Sequence, residues 1–255
     1  MKPHVAVVFD LEDTLVETPW SDPQHTVEFR LKTKRKLIEL GIPKPVLEGI
    51  ERSTSMRNRA AEYVEQNFGK TEAERFKLEM NEFLSWYEID SARRSKLFAD
   101  VIPTLTELKR FGAKMALVTN TSAEAVRVVF RQHKLIGYFR VVITRENVRR
   151  LKPNPEGILL ALKRLRVNSF VMVGDLVLDV LAAKRANGTC ILVRRPEQSN
   201  STDPYMALPA EYLDNAKETM NKKSDFGANY IVQSLTEIPA IIQNEIRRQD
   251  PGSES

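Results

Sequence analysis

The run Val5-Ala6-Val7-Val8-Phe9 passes directly into Asp10-Leu11-Glu12-Asp13. A short, unbroken, Val-rich apolar run predicts a strand buried on both faces, as in the middle of a parallel sheet. Core packing does not ask for three carboxylates at the tip of such a strand. They repel one another, and burial raises the cost. A cation offsets both effects, and oxygen donors suit a hard one such as Mg2+. In open α/β sheets the ligand site lies beyond the carboxyl ends of the strands. Asp10, Glu12 and Asp13 therefore stand where chemistry is expected. A polar turn leading into the next element accounts for the same residues, so the rest of the chain has to decide.

The chain has 255 residues, enough for one large domain or a core domain with a smaller companion. Its formal net charge is +5. No long Lys/Arg run interleaved with aromatics appears, so a nucleic-acid partner is not expected; a basic balance suits an anionic metabolite. Cys190 is the single cysteine, which excludes a disulfide within the chain. No helical apolar segment approaches membrane-spanning length, and the first apolar run ends in Asp10 rather than at a cleavage site. The expectation is a cytoplasmic protein with no membrane contact.

Two patterns divide the chain. After a loop around Glu17-Thr18-Pro19-Trp20, residues 24–98 read as helical throughout. Val27, Leu31 and Ile38 share a helix face. Glu48 to Phe68 reads as a second helix closed by Gly69. A third opens at Thr71, with Glu74 completing a capping box, and carries Phe76, Met80, Phe83, Leu84 and Tyr87. From about residue 101 helices and strands alternate. Strands are expected over 113–118, 139–143, 170–173, 191–193 and 230–232. Asn154 as N-cap with Pro155 at the first helical position starts one helix. Alternation of this kind argues a doubly wound parallel sheet with helices on both faces. Residues 196–226 interrupt it, with a short helix expected over 210–220.

The polar residues at the strand ends can then be collected. They are Asp10 with Glu12, Thr119 with Asn120, Lys152 ahead of its helix, and Asp175 with Asp179. Parallel strands present all of these on one edge of the sheet. Each alone has an ordinary explanation, such as a cap, a surface lysine or first-turn acids. Four such groups in this order are a pattern.

That pattern resembles the haloacid dehalogenase superfamily of phosphatases. Its first motif, a strand followed by Asp-x-Asp-Gly-Thr-Leu/Val, is matched by Asp10-Leu11-Glu12-Asp13-Thr14-Leu15. Its second, a strand ending in Thr or Ser, is matched by Leu117-Val118-Thr119-Asn120. The motif lysine is matched by Lys152-Pro153, and Gly-Asp-x-x-x-Asp by Gly174 to Asp179. The resemblance covers residues 4–193 and, more loosely, 228–246. The helical stretch after the first motif is similar to the cap of the phosphoglycolate phosphatase-like branch.

The resemblance implies an α/β Rossmann-like core over 1–17 and 99–248 and an α-helical cap over 18–98; the polar tail over 249–255 is expected to be disordered. It implies a Mg2+-dependent phosphatase of a small phosphorylated metabolite. Asp10 would be the nucleophile and Glu12 the general acid and base. Thr119, Asn120 and Lys152 would hold the phosphoryl group. Asp10, the carbonyl of Glu12, Asp175 and Asp179 would serve the metal. Cap residues such as Arg52 or Arg57 would bear on substrate choice.

Three departures stand out: Glu12 where most family phosphatases have Asp, Asp13 at the usual glycine, and Leu176 at a commonly small or polar position. Glu moves its carboxylate by one methylene, and errors near 1 Å can cost ~100-fold. Weak activity, or a pocket reshaped to suit Glu, is therefore expected. The alternatives are a dehalogenase-type hydrolase, against which Glu12 and Asp175 speak, and a catalytically weak phosphate-binding or regulatory protein.

Overall fold

The computed structural model describes residues 5–19, 23–196 and 226–249. Its centre is a six-stranded sheet. The strands are β1 (Val5–Phe9), β4 (Lys114–Val118), β5 (Val141–Ile143), β6 (Ser169–Gly174), β7 (Thr189–Val193) and β8 (Tyr230–Val232). Their order is β5-β4-β1-β6-β7-β8, and every pairing is parallel. β1 lies in the middle, between β4 and β6, and all five of its residues are buried. The chain steps outward from β1 to one side through β4 and β5, then returns to build the other side. The crevice at this reversal of order is where α/β sheets place ligands.

Alternate residues of β1 feed two cores, as the period of a strand requires. Val5, Val7 and Phe9 join the cluster built with α3 (Val101–Arg110), α4 (Ala123–Gln132) and α7 (Ile238–Gln249). Ala6 and Val8 join the cluster on the opposite face, built with α5 (Glu156–Leu165) and α6 (Val177–Arg185). The expected helices on both faces are present.

Between β1 and β4 the chain makes a helical excursion. It leaves through β2 (Val16–Glu17) and returns through β3 (Lys96–Leu97), which pair antiparallel as a small separate ribbon. The excursion holds α1 (Pro23–Glu39), a 3-10 turn over Lys44–Leu47 and α2 (Ser53–Arg94). It contributes no strand to the six-stranded sheet among the described residues. Leu37, Leu47, Met56, Ala60, Phe76, Met80 and Leu84 give it an apolar core of its own. α2 is two helices in line, broken at Gly69, whose φ of 86° suits glycine and few other residues.

Local expectations differ at several points. Residues 48–52 lie outside α2, which starts at Ser53 behind a 3-10 turn. Glu74 turns to Lys77 (2.9 Å) as an ion pair. Of the expected Val27, Leu31 and Ile38 face, Val27 and Leu31 are exposed and Ile38 packs on the core of the excursion, where α1 also seats Leu37. β5 is shorter than expected and starts at Val141. Asn154 acts one residue ahead of the N-cap: its Oδ1 accepts from the Glu156 N–H at 3.0 Å. Glu17, expected in a loop, ends β2, and Lys96–Leu97, expected within the helical stretch, form β3; at two residues each these strands fall below what periodicity reveals. Gln249 closes α7, whereas the helix expected over 210–220 and the tail from 250 lie outside the described residues. No described helix is long and apolar enough to cross a membrane.

Candidate active site

The first strand end sets the geometry. Asp10 follows β1 and is held in line with the sheet by its N–H, which donates to the Val173 carbonyl at 2.9 Å. Asp175 and Asp179 come from the end of β6 and the first turn of α6. Carboxylate oxygens of Asp10, Asp175 and Asp179 lie within 4.8 Å of one another, and all three residues are buried. Lys152 is inserted between two of them. Its Nζ donates to Asp10 Oδ1 and to Asp179 Oδ1, each at 2.6 Å. Thr14 Oγ1 donates to Asp175 Oδ1 at 2.9 Å.

Each acid is braced by its own turn. Asp179 Oδ2 accepts from the Leu176 N–H at 3.0 Å, so the first turn of α6 fixes it. Its carboxyl lies against Gly174, where an added Cβ would meet Asp179 atoms at 2.3–2.5 Å; a bare backbone is required there. Arg194 NH1 donates to the Asp175 carbonyl at 2.7 Å. Lys152 is placed by Asn120, whose side chain accepts from the Lys152 N–H at 2.9 Å and donates to the Lys152 carbonyl at 3.3 Å. The Asn120 amide side chain is thereby committed to Lys152, which leaves its backbone N–H as the group able to meet a ligand. The Thr119 hydroxyl accepts from the Thr121 N–H at 3.2 Å and keeps its own hydrogen to donate.

The two unusual residues of the first motif are explained by their settings. Asp13 has a φ of 55°, in the left-handed region. Asp tolerates that region better than most residues with a side chain. Its Oδ1 accepts from the N–H and the hydroxyl of Thr18, both at 3.0 Å. The segment is therefore not extended through Asp13, and Asp13 lies close enough to Asp175 to act on its charge. The Glu12 carboxyl is received by Thr121, whose Oγ1 donates to Oε2 at 2.7 Å. Thr121, absent from the sequence-derived set, gives the longer side chain a fixed seat.

The electrostatics follow from burial. Loss of water raises Asp10 to about 6, with Lys152 opposing and Asp179 adding to the shift. Asp175 is held well above the usual carboxylate range by burial and then by Asp13, Asp179 and Asp10. Burial works against the Lys152 ammonium, but Asp10 and Asp179 outweigh it and keep it charged. Glu12 is pushed up to about 8 by burial and by the nearby Glu88 charge, with the Thr121 hydrogen bond opposing, a direction that favours the proton a general acid must carry. Among the predicted specificity residues, Arg52 at the start of α2 feels the charges of Asp175 and Asp179, while Arg57 is buried elsewhere, with Nε and NH2 donating to Asn81 Oδ1. Three crowded oxygen donors with one ammonium among them carry an excess of negative charge. That donor set fits a hard divalent cation.

The family model described as haloacid dehalogenase-like hydrolase matches residues 7–193. Phosphoglycolate phosphatase 1 of Pseudomonas aeruginosa is 36% identical over 103 residues, which are 40% of this chain and 38% of that protein. The N-acetylmuramic acid 6-phosphate phosphatase of Pseudomonas putida is 27% identical over 191 residues, 74% of this chain and 82% of that protein. The chain thus spans less than half the length of the first of these relatives. In fold, the structure superposes on a phosphonoacetaldehyde hydrolase-like protein from Oleispira antarctica with a TM-score of 0.62 at 16% identity, over 99% of this chain and 96% of that one. With the sheet order, the four strand-end groups and a family match over most of its length, the chain belongs to the haloacid dehalogenase-like hydrolase family.

Proposed function

We propose that this protein is a Mg2+-dependent phosphatase of a small phosphorylated metabolite, working through an aspartyl-phosphate on Asp10. The observation that carries the reading is the buried set Asp10, Asp175, Asp179 and Lys152, with the Glu12 carboxyl seated beside it on the Thr121 hydroxyl. The phosphatase names of the relatives support it.

In the first step an Asp10 carboxylate oxygen forms a bond to phosphorus as the bond from phosphorus to the leaving oxygen breaks. Glu12 gives its proton to that leaving oxygen. In the second step Glu12, now a carboxylate, takes a proton from water as the water oxygen bonds to phosphorus. The bond to Asp10 breaks and phosphate departs. Thr119 Oγ1, the Asn120 N–H and the Lys152 ammonium balance the phosphoryl oxygens. Asp10, the Glu12 carbonyl and Asp175 would hold the metal, with Asp179 orienting that set; the ion supplies neutralisation of charge on the phosphoryl group. Residues 18–98 act as a cap over the core of residues 1–17 and 99–248, and exclude water during the reaction. The place of action is the cytoplasm, without nucleic-acid or membrane partners.

The test is a phosphate-release screen over small phosphorylated metabolites with and without Mg2+. Metal-dependent release from at least one is expected. Silence across a broad panel removes the reading. Glu12→Gln keeps the carbonyl but cannot transfer a proton, and is expected to lower turnover of an alkyl phosphate roughly 100- to 10,000-fold. Mg2+ affinity measured by titration calorimetry should survive; equal rates for wild type and variant would take Glu12 out of the chemistry.

Stability should report the same acids. Asp10 and Glu12 are raised on folding, from 3.8 and 4.5 to about 6 and about 8, so the folded state binds more protons than the unfolded one over that range. Their contribution is present at low pH and is lost as pH rises through these values. In a chelator, Tm is expected to fall between about pH 5 and 8, and Mg2+ is expected to raise Tm most at the upper end. A Tm indifferent to Mg2+ across this range would speak against a metal site at these acids.

A further inference from the structure

We infer that Glu88, on the helical excursion, is a positioning residue for Glu12, acting through Thr121 and Ser122; the inference rests on the phosphatase reading above. Glu88 lies far along α2 and is buried at 8% exposure. One of its oxygens, Oε2, accepts from the Ser122 N–H at 3.0 Å. The other pairs with Arg145 NH1. Arg145 follows β5, has no exposed surface, and is itself bound to α2: NH2 donates to the Asn81 carbonyl at 3.1 Å and to Ser85 Oγ at 2.9 Å. Its backbone N–H donates to the Thr121 carbonyl at 3.1 Å.

Residues 121 and 122 are thus gripped from every side. The Thr121 N–H goes to Thr119, its carbonyl to Arg145, and its hydroxyl to Glu12; the Ser122 N–H goes to Glu88, and Ser122 Oγ accepts from Ala125 N–H at 3.4 Å. Only one of these bonds ends on a reacting group, the 2.7 Å bond to Glu12. The two that cross from the excursion or depend on it, through Glu88 and Arg145, set the direction of the Thr121 hydroxyl. Buried charge-assisted hydrogen bonds of this kind carry geometric specificity. Docking of α2 on the core is in this way coupled to the seat of the acid.

The coupling predicts a dependence on the leaving group. An aryl phosphate such as 4-nitrophenyl phosphate expels a stable anion and needs little protonation, whereas glycerol phosphate expels an alkoxide and needs a proton from Glu12. Formation of the aspartyl-phosphate sets kcat/KM. Glu88→Gln is expected to lower kcat/KM for glycerol phosphate about 10- to 100-fold and for 4-nitrophenyl phosphate less than threefold. Thr121→Val, which removes the hydroxyl without changing shape, should show the same split, and Thr121→Ser should restore the rate. The double variant should lose little more than the larger single loss, because both act on one chain of bonds. Thermal unfolding of each variant identifies loss of folded protein. Equal loss on both substrates by folded Glu88→Gln, or an unchanged rate for Thr121→Val on glycerol phosphate, overturns the positioning role while the phosphatase reading stands. Where the wild type turns over neither ester, an alkyl and an aryl phosphate that the metabolite screen finds to be substrates take their place; silence across that whole panel removes both readings.

Discussion

Asp10→Asn is expected to reduce phosphate release by ~10,000-fold or more while leaving the fold intact. The amide is nearly isosteric with the carboxyl and keeps an oxygen to accept from Lys152 Nζ, now at 2.6 Å from Oδ1. What it lacks is the anionic oxygen that must bond to phosphorus. No neighbour can substitute. Asp179 is engaged by Lys152 and by the Leu176 N–H, Asp175 by Thr14, and Glu12 is seated on Thr121. Rapid-quench labelling gives the check: wild type should carry a transient acid-stable phosphoryl group, and the variant none. A variant that keeps turnover within tenfold of wild type would move the nucleophile elsewhere.

The second large effect is on stability. Lys152 is the cation in direct contact with Asp10 and Asp179 among the described residues. Lys152→Met keeps the length of the side chain and removes the charge. Two buried carboxylates then lose their ammonium, and breaking a buried pair from one side costs about 3–5 kcal/mol. Without divalent cation, Tm should drop by several degrees, and turnover should vanish with it. The loss should shrink on acidification, because Asp10 then carries a proton and no longer needs the ammonium. An unchanged Tm at pH 8 would show that the acids are compensated by some other group.

The sheet was readable because its signals are local. Val5 to Phe9 is apolar at every position, which only a strand covered on both faces requires, and β4, β6 and β7 repeat the signal. The strand-end acids were readable for the same reason, since each interrupts an apolar run at a place where packing has no use for a charge; Lys152, in the polar stretch Arg149-Arg150-Leu151-Lys152-Pro153, stood out only through the order of the motifs. The partners of Glu12 were not. Thr121 meets it across 109 positions, and Glu88 meets Arg145 across 57. No periodicity encodes such distances. One signal was nevertheless present. Arg145 follows the end of β5, on the same sheet edge as the other strand-end groups, and a strand-end reading carried one strand further finds it. The Val27–Leu31 face of α1 failed in the opposite way, since helical spacing of two apolar residues does not require that anything cover them.

The ribbon of β2 and β3 has a consequence for how such a chain can change. Glu17 faces Lys96 across it, so the excursion departs and returns one strand spacing apart, roughly 5 Å. A segment whose two ends are this close can be exchanged for another without re-threading the sheet, and loop length adds little to the entropy of closing it. A transplanted helical unit would therefore be mechanically simple to accept. It would arrive chemically mute, however, unless it also carried a carboxylate where Glu88 meets Ser122 and an acceptor where Asn81 meets Arg145. The seam constrains heredity at these few atoms and leaves the remainder of the module free to drift.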